Sequence, residues 1–265
     1  MAPAPKLLVT GAASGLGVAV HRALGGTAMT RATPWADVEA GAPYDAIVHC
    51  AFGSQKLVTS DSAYAYLDDN LLLTERLARL PHRKFVFLSS IDVYPAPRQG
   101  AREDDAYDLA RLSGPYPFAK LFSDALVRAR CANHLILRPA SLLGPAMRPS
   151  TTLRVLTERA PRVFLHPESR FNFVLHEDIA AFVVRALAED IRGVFNAAST
   201  GPVRLGDMAA RLGLAVTFGE HVYDAGDVSN AKIAAIEPAF RRTSAETLNR
   251  FIDALGDRFV GKGRM

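Results

Sequence analysis

The apolar run KLLVT (6–10) ends in the glycine-rich turn GAASGLG (11–17), which opens directly into the helical stretch LGVAVHRALGG, closed by Gly25 and Gly26. No other feature restricts the fold as strongly. A short, uniformly apolar strand has to be covered on both faces, and one that passes straight into a helix begins a βαβ unit of a parallel sheet. Glycines 11, 15 and 17 permit a tight turn and let an anionic group approach backbone N–H donors. The helix start adds favourable partial charge. Gly11, Ser14, Gly15, Leu16 and Gly17 are therefore expected to cradle a pyrophosphate, with a plain strand-to-helix turn as the alternative.

The pattern repeats. TAMTR (27–31), YDAIVHCAF (44–52), HRKFVFLSS (82–90) and HLILRPA (134–140) read as further strands. AYAYLDDNLLLTERLARL (63–80) reads as a helix with leucines at mixed spacing, stopped by Pro81. YPFAKLFSDALVRAR (116–130) carries Phe118, Leu121, Phe122, Ala125, Leu126 and Ala129 on one stripe. Alternating strands and helices predict an α/β fold with a Rossmann-type, doubly wound parallel sheet. Beyond residue 145 the alternation loosens. A helix at about 151–160, a short strand RVFLH (162–166) and a strand GVFNAAS (193–199) are expected. The alternation of Phe171, Phe173 and Leu175 should lead into a helix N-capped by Asp178. The expected organisation is an NAD(P)-binding domain over 1–145 and a small substrate-binding lobe over 146–265, with the strand and helix near 171–198 packing on the first domain.

Of the 265 residues, 49% are hydrophobic, enough for one large core. No apolar run approaches the roughly 18 residues of a membrane span, and the N-terminus has no signal-peptide pattern. Cys50 and Cys131 lie in apolar contexts and are expected to be buried free thiols. These features predict a cytoplasmic protein with no membrane partner. The net charge of +4 includes no Lys/Arg block, so nucleic acid is not an expected partner. No metal site is expected. One local bias stands out: Arg148, Arg154, Arg159, Arg162 and Arg170 face only Glu158 and Glu168 in that stretch. It reads either as a solvated helix face or as a pocket for an anionic substrate held by Arg148, Arg154 and Arg170.

About 20 positions past the first glycine of such a turn, an acid binds a ribose 2′-hydroxyl. Arg31 stands there and suits a 2′-phosphate, so NADP is expected ahead of NAD; the alternative is an exposed loop cation. Further on, Tyr116 and Lys120 are four apart, on one helical face. An ammonium near a phenol favours the phenolate, and such a tyrosine can exchange a proton with a carbonyl or alcohol oxygen. Ser89–Ser90, closing the fourth strand, offers a hydroxyl to the same oxygen.

TGAASGLG, DAIVHCA, Asn70 before Thr74, FLSSIDVY, YPFAK, LRPASLLGP, FNFVLHEDIA and GVFNAAS occur in this order over nearly the whole chain. Together they resemble the extended branch of the short-chain dehydrogenase/reductase superfamily, the NAD-dependent epimerase/dehydratase family. The resemblance implies a catalytic triad of Ser90, Tyr116 and Lys120: Tyr116 as acid/base, Ser90 polarising the substrate oxygen, and Lys120 binding the nicotinamide ribose and tuning Tyr116. It also implies cofactor contacts from Ala51, Asn70 and Pro139, and a homodimer formed through the helices at about 63–80 and 116–130. Two departures stand out. Ser14 occupies the middle glycine place, and the stretch between the second and third strands is so short that Asp37 is only a weak candidate for an adenine contact.

The expected activity is an NAD(P)-dependent oxidoreductase, reducing a keto-sugar that is anionic and nucleotide-linked. The alternatives are an NAD-dependent epimerase and, in another class, a non-catalytic dinucleotide sensor, which would not be expected to keep the tyrosine–lysine pair. Asp92, two residues past Ser90, is either a substrate-contacting acid/base or hydroxyl ligand, or a turn aspartate capping backbone N–H groups before Tyr94–Pro95. Ile91 and Ala146 stand where sugar dehydratases and fucose-forming enzymes of the family carry an acid and a histidine. Dehydration and two-base epimerisation are disfavoured accordingly.

Overall fold

The computed structural model describes residues 4–53, 55 and 57–260. Strand β1 (Leu7–Thr10) runs through the glycine turn to α1 (Leu16–Leu24), β2 (Thr27–Met29), the short α2 (Trp35–Ala40) and β3 (Tyr44–His49). A long helix follows as α3 (Ser60–Leu67), a π-helical turn (Asp68–Leu72) and α4 (Leu73–Arg79). Next come β4 (His82–Leu88), α5 (Pro115–Arg130) and β5 (His134–Pro139). The remaining elements are β6 (Ser141–Leu143), α6 (Thr151–Thr157), β7 (Arg170–Phe171), β8 (Phe173–Leu175), α7 (His176–Ala188), β9 (Gly193–Ala197), β10 (Val203–Arg204), α8 (Leu205–Arg211), α9 (Ala231–Ile236) and α10 (Ser244–Leu255).

Six strands form one parallel sheet in the order β2-β1-β3-β4-β5-β9. Alternate residues of each central strand enter different cores. Val9, Val48, Val86, Leu88, Leu135 and Leu137 pack with α1 and α7 residues such as Val20, Ile179 and Phe182. Leu8, Ile47, Phe85, Phe87 and Ile136 pack on the opposite face with Tyr66, Leu77, Ala119 and Val127. Burial on both faces is why these strands read as continuous apolar runs. The chain winds outward from β1 to β2, then crosses back to β3. The crevice between the C-terminal ends of β1 and β3 is therefore the topological switch point, where open α/β sheets bind ligands.

The mixed leucine spacing of 63–80 has its cause in the π turn, whose wider winding resets the helical register between α3 and α4. Other expectations need correction. RVFLH makes only single bridges, Arg162 to Thr217 and Leu165 to His221, and forms no strand. Helix α7 starts at His176 behind Leu175. Asp178 lies inside its first turn and pairs with Arg242, so it is not the N-cap. Helix α6 stops at Thr157.

A third core, including Leu143, Val155, Phe173, Leu205, Met208 and Phe251, joins β6, α6, β8, α8 and α10 beyond the sheet's edge. Here β6 pairs with β8 and β7 with β10 in two small sheets. Both cysteines are free; Cys131 is buried and Cys50 half-buried. Among the described residues, no helix is long and apolar enough to cross a membrane.

Candidate active site

Strand β4 delivers Ser89 and Ser90 to the C-terminal edge of the sheet, and α5 runs past that edge with Tyr116 in its first turn and Lys120 one turn later. Both ends of this arrangement are buried: Ser90 is 6% exposed and Lys120 4%. Lys120 Nζ donates to the carbonyl of Leu88 (2.5 Å) and lies 3.6 Å from the centroid of the Phe52 ring. Tyr116 meets the same ring edge-on, with centroids 5.7 Å apart, and borders the same cavity as Ser90. Burial pulls the Lys120 ammonium down to about 7, with the Arg148 charge acting in the same direction. Burial also pushes the Tyr116 phenol well above its ordinary value, helped by the Asp92 charge and opposed by the polar Ser90 side chain.

These groups line a cavity of about 320 Å³. One wall is the glycine turn, with Gly11, Ser14, Gly15, Leu16 and Gly17; the floor holds Ser90, Asp92, Tyr116, Lys120 and Pro139; the far wall includes Arg148 and Tyr223 from beyond the sheet. A second cavity, about 570 Å³, continues from it over β1 and β2 and includes Arg31, Trp35, Ala51, Asp68, Asp69 and Arg76. Gly11, Ser14, Phe52 and Arg148 border both, so the two form one elongated cleft. The glycines are required at the junction. A Cβ on Gly11 would stand 2.8 Å from the Ala51 nitrogen, and one on Gly17 would collide with the Gly11 carbonyl. Gly15 has φ +59° and donates its N–H to the carbonyl of Ala146 (2.9 Å).

A buried polar chain shapes the junction from below. Thr74 donates its hydroxyl to Asn70 O, so it accepts from Nε2–H of His49; Nδ1 of His49 then accepts from Thr10, whose oxygen takes the Ala51 N–H. His49 is thus neutral, and burial depresses its pKa to about 3. Asn70, expected at the cofactor, borders neither cavity. Its amide oxygen accepts from Gly53 N (2.7 Å) and holds the loop after Ala51.

At Asp92 the turn-cap reading needs correction, and so does the extended backbone assumed for the other reading. The backbone does not stay extended past Ser90 but enters a short 3₁₀ turn, Ile91–Val93, in which Ser90 Oγ caps the Asp92 N–H (3.1 Å). The Asp92 carboxylate caps no backbone group. It accepts from Arg98 Nη2 (2.9 Å) while bordering the cavity. Arg98, itself buried, also donates to Tyr94 O and Asp224 O, tying the β4 turn to the 223–226 segment. The arginine-rich stretch divides. Arg148 reaches the cleft and donates to Phe52 O (3.3 Å). Arg154 pairs with Glu158 and Arg170 with Asp224, and neither borders the cleft. Asp37 is exposed on α2 and lies outside both cavities. Arg31 borders the second cavity but is paired with Asp69 (2.6 Å).

Sequence reasoning missed Phe52, Arg98 and Tyr223. Phe52 adjoins the motif that pointed to Ala51, and that adjacency was the one available signal. Tyr223 borders the cavity, and burial, with the Asp92 charge adding to it, raises its phenol. No local pattern around it announces a site.

A family model described as "NAD dependent epimerase/dehydratase family" matches residues 10–198. The chain belongs to this family. Among solved structures, the family member is similar to MoeE5 in complex with UDP-glucose and NAD, at 20% identity and TM-score 0.78, covering 94% of this chain and 97% of the other. It is similar to the UDP-glucuronic acid 4-epimerase of Bacillus cereus, solved with UDP-glucuronic acid and NAD, at 18% identity and TM-score 0.75, covering 94% and 99%. It is also similar to a dTDP-4-dehydrorhamnose reductase of Clostridium acetobutylicum, at 19% identity and TM-score 0.75, with the same coverage of 94% and 99%. These likenesses establish the Rossmann-like fold. No curated protein matches the family member by sequence.

Proposed function

We propose that the protein is a nicotinamide-dinucleotide-dependent enzyme that interconverts an alcohol and a ketone on the ring of a nucleotide-linked sugar. The observation that carries this reading is that Ser90, Tyr116 and Lys120 border one cavity, walled on its other side by the glycine turn. The cleft fits a dinucleotide: it is elongated, is bordered at its middle by Gly11 and Ser14 of the glycine turn, and ends beside Lys120 and Pro139. Bound there, the dinucleotide would accept or donate the hydride. Tyr116 holds or releases the proton of the reacting oxygen, and Ser90 gives that oxygen a second hydrogen bond. Lys120 binds the ribose and, in its protonated form, favours the phenolate; with a pKa of about 7 it carries that charge for only part of the time near neutrality. Pyrophosphate binding at Gly15 requires the Ala146 carbonyl to yield the N–H it now accepts. Arg148 is the cation for an anionic substrate.

Two directions of reaction suit these groups. Reduction of a keto-sugar with NADPH is the one Arg31 suggested. The Arg31–Asp69 ion pair favours the other, an epimerase that retains NAD through the turnover. We further propose a homodimer through α3 and α5, on which Tyr64, Leu67 and Phe122 are exposed; light scattering would then return twice the chain mass. Incubation with UDP-hexoses, UDP-uronates and dTDP-4-keto-sugars tests the activity. Epimer formation without net NADH change identifies the epimerase, and stoichiometric loss of the reduced cofactor identifies the reductase. Absence of both with every nucleotide sugar removes the reading.

A further inference from the structure

We infer that the adenosine end of the cleft selects NAD over NADP, and that the discriminating group is Asp69, on the π-helical turn. The inference rests on the dinucleotide reading above. In a strand-turn-helix site of this kind the selecting residue is expected just past β2, where Arg31 stands. The structure adds a second layer. Arg31 Nη2 lies 2.6 Å from Asp69, and Arg76 Nη2 lies 3.4 Å from Asp68, all four on the wall of the same cavity. The four charges cancel. The cavity's third cation, Arg148, stands at the opposite end, where it bonds Phe52 O and its charge reaches Tyr116 and Lys120.

A 2′-phosphate would bring close to two negative charges into a patch of zero net charge. An exposed ion pair is a weak restraint, so Arg31 could turn towards such a phosphate. Asp69 would then be left facing a dianion, with Asp68 beside it. A free 2′-hydroxyl brings a donor instead, which the Asp69 carboxylate can accept while it keeps Arg31. Nor is Asp69 a loose surface acid. Its neighbour Asn70 is fully buried and bonded to Gly53, which fixes the register of the π turn and so the direction of Asp69.

The same wall holds a reporter. Trp35, the only tryptophan of the chain, borders this cavity and lies under Arg76, whose guanidinium carbon is 5.2 Å from the ring centroid. Titrating the whole protein with NADH and with NADPH, following Trp35 emission and calorimetric heat, should give a Kd for NADH at least about tenfold lower, the scale of one charge-assisted contact. Asp69→Asn should tighten NADPH by about tenfold and weaken NADH several-fold, because the 2′-hydroxyl loses its charged acceptor. Asp69→Ser should do the same if the effect is the lost charge. A wild-type protein that binds NADPH as tightly as NADH overturns the inference while leaving the dinucleotide reading intact. An unchanged preference in both variants overturns the assignment to Asp69. If neither dinucleotide binds, the dinucleotide reading fails and the inference with it.

Discussion

The two ends of the cleft are built on opposite physical terms. At the Tyr116 end Ser90 and Lys120 are buried, and desolvation sets the protonation of the titratable groups: Lys120 falls to about 7 and the neighbouring His49 to about 3. At the other end, bordered by β2 and the π turn, Arg31 is 86% exposed and Asp69 45%, and pairing in water sets the balance. A buried end can shift protonation by several units because water cannot compensate. An exposed end can only choose between partners, since solvent and salt screen each charge. The first end should therefore govern rate and pH response, and the second should govern which ligand binds.

The largest effect that can break this division is Tyr116→Phe. Turnover should fall by about 10² to 10⁴, the usual contribution of a general acid/base, with dinucleotide Kd unchanged. A variant that loses cofactor affinity instead would merge the two ends. Acid stability comes next. His49 and His176 are buried and neutral, with pKa values near 3 and 4 in the fold against 6.5 unfolded. A base whose folded pKa is depressed contributes stability that is complete above pH 6.5 and is lost as the pH falls towards 3–4, because the unfolded chain takes up protons first. By pH 5 each should cost about 2 kcal/mol. Urea unfolding at pH 7 and pH 5 checks this, and His176→Leu should remove about half of the difference.

Asp92→Asn probes the link between the turn after β4 and the 223–226 segment beside the cavity floor. Removing this charge takes away one cause of the raised Tyr116 phenol, so the basic group in the kcat/KM profile should titrate at lower pH. Buried Arg98 loses its anionic partner, which should cost roughly 1–3 kcal/mol in unfolding measurements. An unmoved pH profile would make Asp92 solely an anchor for Arg98. The smallest effects belong to Arg154→Ala and Arg170→Ala, whose exposed pairs should matter by less than about 0.5 kcal/mol and leave KM unchanged. Arg148→Ala, at the cleft, should raise KM for an anionic substrate about tenfold.

Legibility in the sequence followed the range of the interaction. The glycine turn, the individual buried strands of the doubly wound sheet and the Tyr116–Lys120 pair depend on patterns within a few residues, so period and spacing reveal them. The π turn was visible only as a disturbed leucine spacing, because one added residue per turn resembles noise in a single sequence. Arg148, Arg154 and Arg170 were indistinguishable as residue types. Their fates differ because only the segment at 146–150 folds back over the glycine turn, while Arg154 and Arg170 meet acids on their own side of the lobe.

The sequence by itself determined the sheet, its glycine turn and the identity of the groups that border β4 and α5, because strand burial, turn geometry and helical spacing are local constraints. Only the tertiary structure decided the rest. It brought Asp69 to Arg31 across 38 positions and Arg98 to Asp92 through a turn, and it set Tyr223 against the cavity from the far side of the fold. The reason is electrostatic as much as geometric. The meaning of a charged side chain depends on the counter-charge beside it, and a chain's linear order does not say which one that will be.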